Sequence, residues 1–331
     1  MRSYKLVVYI AVVFLLGLQH GLLAAQDMGC RPDVLSKPTQ QGLWVVGETS
    51  GFDPCHPSVQ WRVPENADNP AVVLAVHGGG GRRDAQAITD QFYQHGYATL
   101  IFDAYAMNGF TRTPRLGNAA RQLMLFKVAS EALIWLKVRT EIDTRNIHVY
   151  GISNGASVVL NLAALGPPYE IRSVFSEAPT PVWMGLPDTI RVPTLMVFGQ
   201  EDDLGAPLGK KRWEISMPCR INVKVRQAPS GTATDCSKDA PNGRMMTTVE
   251  WSKKVTLVDA GRLDTMYLDG VAHGGFLGPL ERSTWADFMR SRGVTPQPFM
   301  EQVGWSQGGT EAGRAALLRE VLDFFAATTA K

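Results

Sequence analysis

The pentapeptide Gly151-Ile152-Ser153-Asn154-Gly155 sits between an apolar run at 146–150 and a second one at 156–165. A serine with a glycine two residues to either side, between a strand and a helix, can be held out at a sheet edge on a sharp turn, because side chains at the two glycine positions would collide with nearby backbone. A serine hydroxyl is a weak nucleophile until a base takes its proton, so the pattern predicts a histidine within reach. The chain has 6 histidines. His20 lies in the apolar N-terminal stretch, His56 adjoins Cys55, His95 ends a predicted surface helix, His148 is inside the strand before the serine, and His77 heads a glycine run. His273 alone follows the serine, in the flexible loop Ala272-His273-Gly274-Gly275-Phe276. Such a base needs a carboxylate to fix its tautomer and stabilise the imidazolium. Asp202 is placed for this, after an apolar strand through Phe198 and the turn Gly199-Gln200-Glu201; Asp203 and Glu177 are the alternatives.

Attack by a serine on an acyl carbon creates an oxyanion, which preorganised N–H groups must meet. His77-Gly78-Gly79-Gly80-Gly81 directly follows a buried strand, and glycines there let backbone donors approach a substrate. The expected donors are the amides of Gly79 and Asn154. A phosphate-binding loop is the other reading of the glycine run, but it lacks the Gly-Lys-Ser/Thr ending and the dinucleotide spacing.

These residues need a sheet to position them, and the chain alternates in the way a parallel sheet requires. Residues 71–76, 97–102, 146–150, 171–175 and 193–198 are short apolar runs expected as buried parallel strands. Between them, 84–95 and 118–140 read as helices, the longer with Leu123, Leu125, Ala129, Leu133, Leu136 and Val138 on one face. A final strand is expected at 255–258 or 265–268, and an amphipathic helix at 310–328 with Thr310 as its N-cap. An edge hairpin is expected around 42–46 and 59–63. Residues 205–255 break the alternation and read as an insertion beside the site.

Arg2 and Lys5 precede an apolar stretch at 6–18, with Ala24 and Ala25 as small residues at a cleavage point. Residues 1–25 thus read as a signal peptide and 26–331 as a single domain, secreted or periplasmic. In that setting the 4 cysteines suggest two disulfides, Cys30 with Cys55 and Cys219 with Cys236, since each pair closes a local loop in a polar segment. Their spacing fits no zinc motif, so no metal site is expected. The net charge of +2 comes without a basic stripe, which argues against nucleic acid as a partner.

The chain resembles the dienelactone hydrolase-like branch of the α/β-hydrolase fold. The resemblance is carried by Val72-Val73-Leu74-Ala75-Val76 with the glycine run, Gly96-Tyr97-Ala98-Thr99-Leu100-Ile101-Phe102-Asp103, Trp135-Leu136, Ile142-Asp143, the elbow, Gly199 to Asp202 and the His273 loop. It implies a mostly parallel sheet flanked by helices, and hydrolysis of carboxylic esters or lactones with no metal or organic cofactor. Two departures stand out. Dienelactone hydrolases proper place a cysteine where Ser153 stands and a glutamate where Gly78 stands. The expectation is therefore a serine esterase acting on a small-molecule or polymeric ester, without stable membrane association once the signal is removed. Tyr105 and Trp183, with Phe110 and Met184, are candidates to line an acyl or aromatic pocket. A prolyl-oligopeptidase-like peptidase shares fold and triad, and a binding protein that kept the fold without the chemistry is the rival from another class.

Overall fold

A computed structural model describes residues 51–110, 118–179, 186–215 and 247–330. The elements run in sequence as β1 (Gln60–Arg62), β2 (Val72–Val76), α1 (Arg83–Gln94), β3 (Ala98–Ile101), α2 (Ala104–Met107), α3 (Asn118–Lys137), β4 (Ile147–Ile152) and α4 (Asn154–Leu162). They continue with β5 (Ser173–Glu177), β6 (Thr189–Ile190), β7 (Pro193–Gly199), α5 (Thr248–Ser252), β8 (Thr256–Leu257), β9 (Arg262–Leu268), α6 (Trp285–Ser291) and α7 (Glu311–Thr328). Seven strands form the central sheet in the order β1-β3-β2-β4-β5-β7-β9. All neighbours pair in parallel except β1, which runs antiparallel to β3.

The apolar runs become central strands because each is covered on both faces. Every residue of β2, β4 and β5 is buried. Alternate side chains sort into two layers: Val72, Leu74, Val76, Val149 and Val174 pack with α3 and α4 residues such as Leu125 and Val158. Val73, Ala75, Tyr150 and Phe175 pack instead with Ile88 and Phe92 of α1 and with Leu317, Val321 and Phe325 of α7. The result is a mostly parallel α/β sheet flanked by helices, consistent with an α/β-hydrolase. Thr310 caps α7 as the sequence suggests, accepting from Gly313 N–H at 3.0 Å.

Gln60–Arg62, inside the expected 59–63 arm, is an edge strand that pairs antiparallel with β3, while 42–46 lies outside the described residues. Both candidate segments for the final strand contain one: β9 makes the sixth parallel strand of the main sheet, and β8 joins β6 in a separate pair. The described ends of the 205–255 stretch are tied to neighbouring segments. Its start is strapped to the C-terminal region by Gly205 N–H to Gly304 O and Leu208 N–H to Gln302 O, both 2.9 Å. Its end is anchored by buried Trp251, whose indole donates to Pro187 O at 2.8 Å. Residues 216–246, with Cys219 and Cys236, lie outside the described residues, as do Cys30 and the proposed signal segment. Cys55 is disulfide-bonded. Its partner falls outside the described residues.

His148 shows how α7 is locked onto the sheet. Its fully buried ring stacks on Phe325 at 4.7 Å, with Nδ1 2.8 Å from Ser173 Oγ and Nε2 3.2 Å from Thr329 Oγ1. Burial, assisted by the charge of Arg172, lowers its pKa to about 3. The folded state thus binds a proton less readily than the unfolded chain, so the stabilisation is complete above the ordinary histidine range and is lost as pH falls towards 3. Between pH 7 and pH 4 the unfolding free energy of the wild type should fall by about 3 kcal/mol more than that of His148→Gln. Urea titrations of both proteins at the two pH values measure this, and parallel losses would refute it.

Candidate active site

At the end of β4 the backbone turns sharply at Ser153, with φ 56° and ψ −116°. This region is unfavourable for a side-chain-bearing residue, and it is held by fixed neighbours rather than by local preference. Ser153 N–H donates to Glu177 O on the adjacent strand at 2.9 Å. The flanking glycines are dictated by space. A Cβ on Gly155 would lie 2.2 Å from Val76 O and one on Gly151 2.5 Å from Gly155 O, so α4 can start against β2 only without side chains there.

Two loops at the same sheet edge bring up the predicted partners. β7 ends at Gly199, where a Cβ would sit 2.2 Å from Val271 O, so the turn carrying Asp202 and the loop carrying His273 pack backbone to backbone. His273 Nδ1 lies 3.1 Å from Asp202 Oδ2, with His273 3 % exposed and Asp202 fully buried. The other Asp202 oxygen accepts from Leu204 N–H at 3.1 Å. Arg212, also buried, donates its backbone N–H to Asp202 O at 2.8 Å. Burial lowers the Arg212 pKa, and the Asp202 charge works against that. Gly274 fits His273's loop against the elbow: a Cβ there would be 2.7 Å from Ile152 Cδ1. Among the described residues, Ser153 Oγ makes no hydrogen bond to His273, a contact that often closes only with substrate bound.

The three candidate acids have separate employment. Asp202 meets the imidazole. Asp203 accepts from Ser306 N–H at 2.8 Å and so pins the 303–309 segment across the His273 loop. Glu177, 2 % exposed, accepts from Gly275 N–H at 2.6 Å and from the Tyr150 hydroxyl.

The glycine run is held in a fixed orientation that its composition does not reveal. His77 is fully buried, and its Nε2 accepts from Ala104 N–H at 3.0 Å. The proton must then be on Nδ1, which donates to Gly78 O at 2.7 Å. The Tyr105 hydroxyl also reaches Gly78 O, at 3.4 Å. In a trans peptide the next N–H points opposite to this carbonyl, so Gly79 N–H faces away from both rings. Gly79 borders Asn154, since its Cβ position is 3.5 Å from Asn154 Nδ2. The two expected donors therefore belong to adjoining residues.

Tyr105, a candidate for the pocket lining, lies in α2, 2 % exposed, bracing the glycine run. Trp183 lies outside the described residues. Asp84 went unnoticed. It accepts from Gly80 N–H at 2.6 Å, and a Cβ at Gly78 would sit 2.8 Å from its carboxylate and 3.2 Å from Ser153 Cβ. Burial raises its pKa, against the Gly80 hydrogen bond and the nearby histidines. Its position four residues beyond Gly80, at the start of α1, was the available signal. Among the described residues, no group of three or more His, Cys, Asp or Glu is placed to hold a metal ion, and no helix is long and apolar enough to cross a membrane.

Residues 59–212 match the dienelactone hydrolase family. The matched span includes the glycine run, the elbow and Asp202, and ends before His273. No curated protein matches the chain. Among solved structures, the dienelactone hydrolase of Anabaena variabilis is similar at 16 % identity and a TM-score of 0.45, over 82 % of this chain and 92 % of that one. A thermophilic esterase from Thermogutta terrifontis aligns at 13 % identity and a TM-score of 0.40, over 66 % and 80 %. At identities this low, the chemistry has to be argued from the site's own residues.

The Nδ1–H proton of His273 is held in a hydrogen bond to a buried carboxylate, which deshields it. A downfield imidazole proton resonance should therefore be visible by NMR, vanish in Asp202→Asn and persist in Asp203→Asn. Loss in Asp203→Asn with retention in Asp202→Asn would reverse the assignment.

Proposed function

We propose that this chain is a secreted serine esterase that cleaves a carboxylic ester through an acyl-enzyme. The bond between His273 and Asp202 at 3.1 Å, buried beside an elbow that holds Ser153 at positive φ, carries this reading. In the reaction, His273 Nε2 takes the Ser153 proton as Oγ attacks the ester carbonyl. The tetrahedral oxyanion is met by the N–H groups of Gly79 and Asn154. The imidazolium, stabilised by Asp202, returns its proton to the alkoxide as the C–O bond breaks, and the alcohol leaves. Water, deprotonated by the same imidazole, then attacks the acyl carbon; the bond to Ser153 Oγ breaks, the imidazolium returns the proton to Oγ, and the acid leaves.

The substrate is read as a small-molecule or polymeric ester met outside the cytoplasm. The N-terminal pattern of Arg2, Lys5 and the apolar run supports export, and a disulfide at Cys55 suits an oxidising compartment. Cys30 is the partner that closes the shortest loop, and a Cys219–Cys236 bridge would staple the 205–255 region. The mature chain, 26–331, is read as a single catalytic domain. Tyr105 acts on the substrate through the glycine run it braces, and Trp183 is a candidate for the pocket wall.

Fluorophosphonate should label the purified protein at Ser153, and Ser153→Ala should abolish labelling and cut p-nitrophenyl ester turnover by about four to six orders of magnitude. A folded protein that resists the label, or a Ser153→Ala variant that retains wild-type turnover, would remove the serine mechanism.

A further inference from the structure

Glu177 is the last residue of β5, paired in register with Ile152 of the elbow strand. Burial raises its pKa, against the Tyr150 and Gly275 hydrogen bonds and the charge of His273, with Asp202 pushing the other way. A carboxyl group here is an expensive way to fill an apolar layer that contains Tyr150, Phe175 and Leu317. A leucine would fill the same volume. What leucine lacks is an acceptor. Gly275 begins a short 3-10 turn, Gly275–Leu277, whose first N–H has no partner inside that turn. Glu177 Oε1 supplies the partner at 2.6 Å, two residues beyond His273, while its other oxygen is held by the Tyr150 hydroxyl from the elbow strand. The backbone carbonyl of the same residue accepts Ser153 N–H at 2.9 Å. Behind Gly275 there is no slack, since a Cβ would meet Leu317 Cδ2 at 2.8 Å.

We propose that Glu177 is a positioning residue that sets the His273 loop against the elbow, binding the loop through its side chain and Ser153 through its backbone. This deepens, and rests on, the serine esterase reading. Glu177 acts as a hydrogen-bond acceptor rather than as a second charge beside the imidazole. It touches neither the substrate nor the reacting atoms.

Two substitutions separate these roles. Glu177→Gln keeps an amide oxygen for Gly275 N–H, and its Nε2 can donate to the Tyr150 hydroxyl. Glu177→Leu keeps the volume and removes the acceptor. With p-nitrophenyl acetate as substrate, Glu177→Leu should lower kcat by about thirtyfold or more with KM within about threefold, and Glu177→Gln should recover kcat to within about fivefold of wild type. In a His273→Ala background, Glu177→Leu should change the residual kcat by less than about twofold, because the effect is routed through His273. Hydrogen exchange over 272–278 should quicken by about tenfold or more in Glu177→Leu and return towards wild type in Glu177→Gln.

Equal impairment of the Gln and Leu variants would replace the acceptor role with a charge role and overturn the proposal. An undiminished loss in the His273→Ala background, or unchanged exchange in Glu177→Leu, would also overturn it. The exchange measurement needs no turnover. If Ser153→Ala proves as active as wild type, the esterase reading fails by itself, and faster exchange in Glu177→Leu still upholds the tether.

Discussion

The close approach of α4 to β2 is the contact on which the rest of the site depends. Gly155 rests directly on the carbonyls of Val76 and His77, leaving no room for a Cβ. That contact keeps the helix short of the sheet edge and forces the chain to turn within one residue, which drives Ser153 into positive φ. It also sets the glycine run beside the serine, because the run is the continuation of β2. Ser153 and the glycine run are thus positioned by one backbone contact. His273 and Asp202 come separately, on two loops packed against each other and, through Gly274, against the elbow.

Much of the sheet was legible in the sequence because burial on both faces leaves little room for ambiguity. A run such as Val72–Val76 has no polar face to offer solvent, and five of the six parallel strands read that way. β9 did not. At the sheet edge its residues are mostly exposed, so Arg262, Asp264 and Thr265 interrupt the apolar signal. The sharp turn at Ser153 was legible from the glycine spacing, and His273 was singled out by its place after the serine. Its carboxylate partner was narrowed to three, and only packing separates them, since each is engaged by a different neighbour and Asp202 alone meets the imidazole. Asp84 and the bracing role of Tyr105 were hidden for another reason: both act on a glycine loop whose orientation depends on hydrogen bonds across 4 to 27 residues.

Three carboxyl groups lie within or beside the site, and they are not equivalent. Asp202 is spent on the imidazole, while burial raises the pKa of Glu177 and of Asp84. Burial thus disfavours the charged form of the two carboxyl groups that do not touch His273. This matters because an imidazole ringed by several full charges would hold its proton too firmly to return it to a leaving group. The neutral tautomer of His77 fits the same economy, since a cation below the glycine run would compete with the oxyanion for its donors. Each nearby ionisable group is tied to backbone N–H or C=O, so shape and charge are controlled by the same bonds.

The bond between Asp202 and His273 spans 71 residues, and the segment that braces it comes later still. Asp203 holds Ser306, Ser306 O accepts His273 N–H at 3.3 Å, and Gly304 N–H donates to Ala206 O at 2.8 Å. The contact between Asp202 and His273 is thus held from a segment that lies further along the chain than either residue. Loss of 303–309 would take away both the backbone acceptor of His273 N–H and the partner of Asp203, while leaving the strands that carry Ser153 and Asp202 in place in the sequence.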